Sequence, residues 1–234
     1  ATGWGWDQVL PWFLQGERNS RGASALHGDA GPLWVSDLRH HNPLSAAFIA
    51  AAQEAGHPHN ADFNGDQQLG VGLYQVTQRD GARCSSADAY LRPARHRRNL
   101  TVLTGAQATA LSFQGTTATG VHYRRGGHHL HTRAAVEVIL SAGAIHSPHL
   151  LMLSGIGEAD TLRCHGITPR VDLPGVGRNL QDHLDICTVV HTTPGVSYDR
   201  SSELRIAIDY FLRGHRGAGT SNLAEAGGFA RSSL

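Results

Sequence analysis

The 234-residue chain contains no lysine; all 20 of its basic side chains are arginine. That bias points to a GC-rich coding sequence more than to a function. With 19 acids the net charge is only +1, and there is no basic stripe suited to nucleic acid, so a polyanion partner is not expected. No apolar run approaches the roughly 18 residues of a membrane span, and the first residues lack the basic-apolar-small order of a secretory signal. A cytoplasmic location without a transmembrane segment is therefore expected. Cys84, Cys164 and Cys187 stand far apart and form no Cys-x-x-Cys pair, which argues against a disulfide framework and for buried free thiols. The absence of a Gly-x-Ser-x-Gly elbow removes a serine-hydrolase reading. Gly3-Trp-Gly5, Gly70-Val-Gly72 and Gly175-Val-Gly177 each lack the third glycine of a Gly-x-Gly-x-x-Gly phosphate loop, whose helix-end amides would face a pyrophosphate.

What remains is ordinary globular composition, 40% hydrophobic and 17% charged, in a chain long enough to bury about 70% of its unfolded surface as one or two domains. Apolar spacing predicts a helix over Trp4 to Leu14, a strand over Pro32 to Ser36, and a proline-started, glycine-ended helix over Pro43 to Gly56. Val71 to Thr77 reads as a strand. Ser85-Ser-Ala-Asp88 offers a helix cap in which the aspartate reaches back to first-turn amides. Short β runs follow at Thr101 to Thr104, Thr119 to Tyr123 and Ala135 to Leu140, with a further strand at Ile186 to His191. Short helices are expected over Thr161 to His165 and Glu203 to Leu212.

The most informative stretch is Gly143-Ala-Ile-His-Ser-Pro-His-Leu-Leu-Met-Leu-Ser-Gly-Ile-Gly157. Before it, Val136 to Leu140 reads as a buried strand, and Ser141-Ala-Gly143 lets bare backbone approach a ligand closely. Ser147 and Pro148 suit the N-cap and first position of a helix, Leu150 to Leu153 its apolar body, and Gly155 its C-terminal cap.

This stretch closely resembles the second signature of the glucose-methanol-choline (GMC) oxidoreductases. Pro174 to His183, Gly70 to Gln78, Arg83 to Leu91, Gly5 to Pro11 and Thr220 to Gly228 are similar to other family segments, so the resemblance runs essentially end to end. Among its subgroups the bacterial choline and alkanol dehydrogenases look most similar. The resemblance implies an α/β and α+β architecture: part of a Rossmann-like FAD-binding domain over 70–182, and parts of an antiparallel-sheet substrate domain over 1–69 and 183–234. It implies FAD as cofactor, a small-molecule alcohol as substrate, hydride transfer to flavin, and an electron acceptor left open. Backbone groups of Ala142 and Gly143 would lie against the flavin nucleotide, and Ala108, where relatives usually carry Val, would meet the adenine through its main chain. The family's phosphate loop and first signature precede the matching region, and its catalytic His follows it. The chain is accordingly expected to be an internal segment, inactive alone, with no catalytic residue of its own. A GMC-fold hydroxynitrile lyase and a non-enzymatic, His-rich metal-binding fragment are the alternatives.

Asn179-Leu-Gln-Asp-His183 tempts a general-base reading, but adjacent residues point apart and Asn and Asp organise turns; it is read as an anchoring turn between the two domains. The 16 histidines include His57-Pro-His59, His128-His-Leu-His131 and His146-Ser-Pro-His149. None has zinc-site spacing, so they are read as surface residues and no metal site is assigned.

Overall fold

The computed structural model describes residues 2–192, 195–198 and 201–232. In chain order the elements are α1 (Trp6–Gly16), β1 (Glu17–Asn19), β2 (Leu33–Val35), α2 (Pro43–Glu54), β3 (Gly70–Leu73), β4 (Gln78–Arg79), β5 (Ala82–Arg83) and α3 (Arg92–Ala94), the last preceded by a π-helical turn, Ala87–Leu91. There follow β6 (Ala106–Gln114), β7 (Thr117–Arg125), β8 (His128–Arg133), α4 (Gly143–Leu153), β9 (Ile156–Gly157), α5 (Ala159–Cys164), β10 (Val171–Asp172), α6 (Glu203–Ala207) and β11 (Ala226–Phe229). Among the described residues no helix is long and apolar enough to cross a membrane.

The chain forms two compact units, one of Ala1–Leu100 with Val189–Leu234, the other of Thr101–Thr188. In the first, β3 and β11 pair antiparallel with Gly72 opposite Gly227. Gly72 is required, since a Cβ there would lie 1.9 Å from the Asn60 carbonyl oxygen; a Cβ at 227 would lie 2.0 Å from the Tyr74 hydroxyl and would displace that ring. Phe63 packs on Tyr74 and Phe229 with ring centroids 5.2 and 5.4 Å apart. The α2 helix begins as its sequence dictates, with Pro43 in the first turn and Asn42 accepting the Leu44 amide at 2.9 Å. Asp88 reaches back as expected, accepting from the Ser85 amide and hydroxyl at 3.1 and 2.6 Å. Those bonds come first in holding its carboxyl below the usual range. This unit contains residues 70–100 as well as 1–69, because β3 depends on β11 for its partner.

In the second unit β6, β7 and β8 form an antiparallel meander. α4 is fastened to it by Ser154, whose Oγ accepts the Leu111 amide at 2.8 Å and donates to the Leu150 carbonyl at 2.6 Å. Gly155 follows the helix with φ +84°, the expected left-handed cap. Buried Leu162 lies below β9, where a Cβ on Gly157 would meet Met152 and Leu162.

Several expectations fail. Ala135 to Leu140, Ile186 to His191 and Thr101 to Thr104 are not strands. Val136 is 92% exposed and Ile186 84%. An apolar run suited to a strand covered on both faces needs neighbours on both edges, and the described residues offer it none. The strand at Val71 to Thr77 stops at Leu73, and Val76 makes a single bridge to Ser36. The helix of Glu203 to Leu212 is split into α6 and a π-helical turn, Ile208–Leu212. α4 starts at Gly143, not at Ser147, so Pro148 lies inside it. Gly143 at φ +84° turns the chain into the helix early, and Ser147 Oγ accepts the Ala142 amide at 3.0 Å, serving the helix end from within. Of the thiols only Cys84 is buried; Cys164 and Cys187 are exposed.

Candidate functional site

The backbone at Ala142 and Gly143 is exposed at the N-terminal end of α4. Nothing lies within 4 Å of the point where a Cβ on Gly143 would stand. First-turn amides of a helix lack intrahelical acceptors and carry the positive end of its dipole. An open, side-chain-free helix start therefore fits a ligand gripped through main chain alone, as a flavin nucleotide would be. Ala108 lies in β6 opposite Tyr123, at an irregularity where the register shifts between Ala108 and Ala110. The shift takes Thr109 out of the ladder and leaves backbone groups beside Ala108 without a cross-strand partner. Ala108 is exposed. The structure thus places all three residues in the second unit, with β6 and α4 tied through Leu111 and Ser154. No hydrogen bond joins Ala108 to Ala142 or Gly143 among the described residues.

A second constellation was not legible in the sequence. Glu225, just before β11, is 1% exposed. Its carboxylate accepts from the Asn42 amide at 2.6 Å, the Ser45 hydroxyl at 2.7 Å, the Ser221 hydroxyl at 2.5 Å and the Tyr198 hydroxyl. Burial pushes its pKa up, but the Ser221, Tyr198 and Ser45 hydroxyls and the Asn42 amide together hold it below the ordinary glutamate value. Tyr198 is displaced the other way, to about 12, by burial and by its bond to Glu225. The carboxylate is therefore ionised and fully engaged, which suits it to fixing α2, β11 and Tyr198 rather than to moving protons.

The third constellation centres on His27. Its Nδ1 lies 3.0 Å from Glu17 Oε2 and its Nε2 3.0 Å from Asp62 Oδ2. Desolvation lowers its pKa, yet the two carboxylates outweigh this and leave it raised. Glu17 also accepts the Gly28 amide, and Asn19 donates to Glu17 and Gln75. Asp182 and His183 form no side-chain pair: the Asp182 carboxylate accepts the His183 backbone amide at 2.8 Å, and both residues are exposed. No group of three or more metal-ligating His, Cys, Asp or Glu side chains converges among the described residues.

Residues 1–185 match the family model described as GMC oxidoreductase. The chain belongs to this family. It is 46% identical over 98% of its length to an alcohol dehydrogenase [acceptor] of Pseudomonas putida, covering 43% of that protein. It is 43% identical over 99% of its length to the mitochondrial choline dehydrogenase of Homo sapiens, covering 40% of it. An FAD-dependent oxidoreductase from Chaetomium thermophilum superposes with a TM-score of 0.79 at 26% identity, over 94% of this chain and 41% of that one. The chain thus spans about two-fifths of the length of these relatives. Its mixed helices and strands are those of a partial α/β FAD-binding fold of the GMC type.

Proposed function

We propose that this GMC chain is part of an FAD-dependent oxidoreductase that converts a small alcohol to its carbonyl compound. The observation that carries the reading is its identity along almost its whole length with alcohol and choline dehydrogenases. The open backbone at Gly143 supports it from the structural side. Bound FAD would supply the two-electron oxidising capacity. The chain's own part is to hold the nucleotide through main chain at Ala142, Gly143 and Ala108. The flavin-binding part lies within 70–182 and the substrate-domain parts in 1–69 and 183–234, where the Glu225 and His27 networks set the loops. The dehydrogenases among its relatives give no support to a hydroxynitrile lyase. A cytoplasmic location is our reading for this chain; its human relative is named as mitochondrial.

We infer that these 234 residues alone oxidise no alcohol, because they hold no Gly-x-Gly-x-x-Gly phosphate loop to grip the cofactor's pyrophosphate. The test adds FAD to the purified chain and, in parallel, to a version extended to the length of its relatives, then adds primary alcohols or choline without oxygen. Flavin bleaching by the extended protein alone is the expected result. Bleaching by the 234-residue chain would overturn its inactivity, and no bleaching by a folded, flavin-loaded extended protein would overturn the oxidoreductase reading.

A further inference from the structure

The outer face of the β6–β7–β8 meander concentrates imidazole. Register places Gly120 opposite Arg133, His122 opposite His131 and Arg124 opposite His129, and side chains paired in this way emerge on the same face. Ser112 and Ala110 of β6 share that face through their pairing with Gly120 and His122. No Asp or Glu occurs between Asp88 and Glu137. With no carboxylate on these strands, the histidines are the sheet's strongest side-chain ligands for a transition-metal cation.

The rings of His122 and His131 lie with centroids 4.4 Å apart and planes inclined by 32°. With metal–nitrogen bonds of about 2.0 Å, two imidazoles at right angles on one metal ion have centroids separated by roughly 4.5 Å. The pair is thus already spaced for cis coordination. His131 is held in place: its Nε2 is 3.0 Å from Ser112 Oγ, which in turn receives the Thr119 hydroxyl at 3.4 Å. When Nε2–H donates to Ser112, Nδ1 keeps its lone pair for a ligand, the arrangement by which outer partners orient metal-bound histidines. Gly120 makes room for the ring, since a Cβ there would stand 2.9 Å from His131 Nε2.

We propose that His122 and His131 form a two-imidazole site for a late first-row divalent metal ion, with Cu(II) bound more tightly than Zn(II), and water completing the coordination. Imidazole suits these ions, and Cu(II) heads the affinity order. Both rings are exposed, so the metal exchanges freely. The site is independent of the flavin reading and uses a cross-strand pair in place of the sequence-adjacent His-x-His motifs. Arg124 and Arg133 on the same face repel the ion. Salt screens that repulsion, so affinity holds or rises with ionic strength, whereas a carboxylate site would weaken.

The test is a Cu(II) titration of the full 234-residue chain, read by calorimetry and by nitrogen hyperfine structure in electron paramagnetic resonance. One saturable equivalent bound through two imidazole nitrogens is expected. His122→Ala and His131→Ala should each weaken it more than tenfold, Ser112→Ala by about threefold, and the double change His57→Ala/His59→Ala not at all. All these positions are exposed or partly exposed, and circular dichroism checks that each variant folds. Unchanged binding in both sheet variants, loss of binding in the His57/His59 variant, or affinity that falls steeply with salt would each overturn the proposal.

Discussion

The two compact units bury different chemistry. Every buried polar residue described (Asn19, Asn42, Gln78, Thr220 and Glu225) lies in the first unit, beside the modest apolar side chains of Val71, Cys84 and Ala89. The buried side chains of the second are Leu111, Leu150 and Leu162, with no polar residue among them. Apolar contact is non-directional and tolerates small shifts, while a buried hydrogen-bonded carboxylate holds its partners in fixed directions and is costly when one is missing. The first unit, rich in loops, uses polar hubs to fix distant segments: Glu225 gathers groups from residues 42, 45, 198 and 221. The second, built on a long hairpin and a helix, buries leucines alone and keeps its polar links, such as Arg178–Glu158 and the Asp172 bond to the Ala159 amide, at exposed positions.

The contrast is broken most directly at Glu225. Glu225→Ala strands the Asn42 amide and three hydroxyls in a buried site and should cost about 3–5 kcal/mol. Urea unfolding would measure it, and amide exchange should show the loss in the first unit. Glu225→Gln keeps part of the acceptor capacity and should lose less; equal losses would mean that charge, not connectivity, sets the effect. In the second unit the matching change is Leu162→Ala. The side chain is 2% exposed, and its truncation should cost about 2–4 kcal/mol through lost transfer energy and a cavity beside Gly157. Partial rescue by Leu162→Met would fit apolar packing, which accepts a substitute of similar volume.

His27 sharpens the comparison through pH. Its folded-state pKa is raised, so the stability it contributes is fully present below the unfolded value of about 6.5 and is lost as pH rises through the higher folded value. His27→Gln should therefore destabilise the chain by about 1–2 kcal/mol in mildly acidic buffer, with the gap from the parent narrowing as the solution becomes alkaline. Thermal unfolding of both proteins across that range checks the sign. A gap that widens with pH would mean that the imidazole is stabilised as the neutral ring, and the carboxylate clamp would be wrong.

The features readable in the sequence were those whose causes are local. Pro43, Ser85 with Asp88, and Gly155 each fix a helix end within four residues, and each appears in the structure as expected. The nine-residue β6 was missed because Ala106-Gln-Ala-Thr-Ala-Leu-Ser-Phe-Gln114 has a single β-branched residue; its pairing with β7 supplies what propensity does not. Val136 to Leu140 failed in the opposite sense, being strand-like in composition but without neighbours to pair with. The Glu225 and His27 hubs had no sequence signal, since their partners stand up to 183 and 35 residues away. The Asp80-Gly81 dipeptide was a usable signal. With φ of +51° and +78° it forms the two-residue turn between β4 and β5, and Asp-Gly favours such turns because both positions need left-handed backbone.

Gly143 gives the smallest stability effect and the clearest separation of fold from ligand. Its φ of +84° is strained for any residue with a Cβ, so Gly143→Ala should cost about 1 kcal/mol. Space does not add to that cost, because the new methyl group meets nothing within 4 Å. If that space belongs to a nucleotide, the same methyl group lies in the path of the ligand. Flavin retention by the extended protein should then fall far more than stability does. Ser147→Ala provides the complementary case: it removes the acceptor of the Ala142 amide without adding volume at the helix start. It should loosen the first turn and lower flavin retention only slightly. Equal retention in Gly143→Ala and the parent would place the cofactor elsewhere and leave the open helix start as a feature of the turn alone.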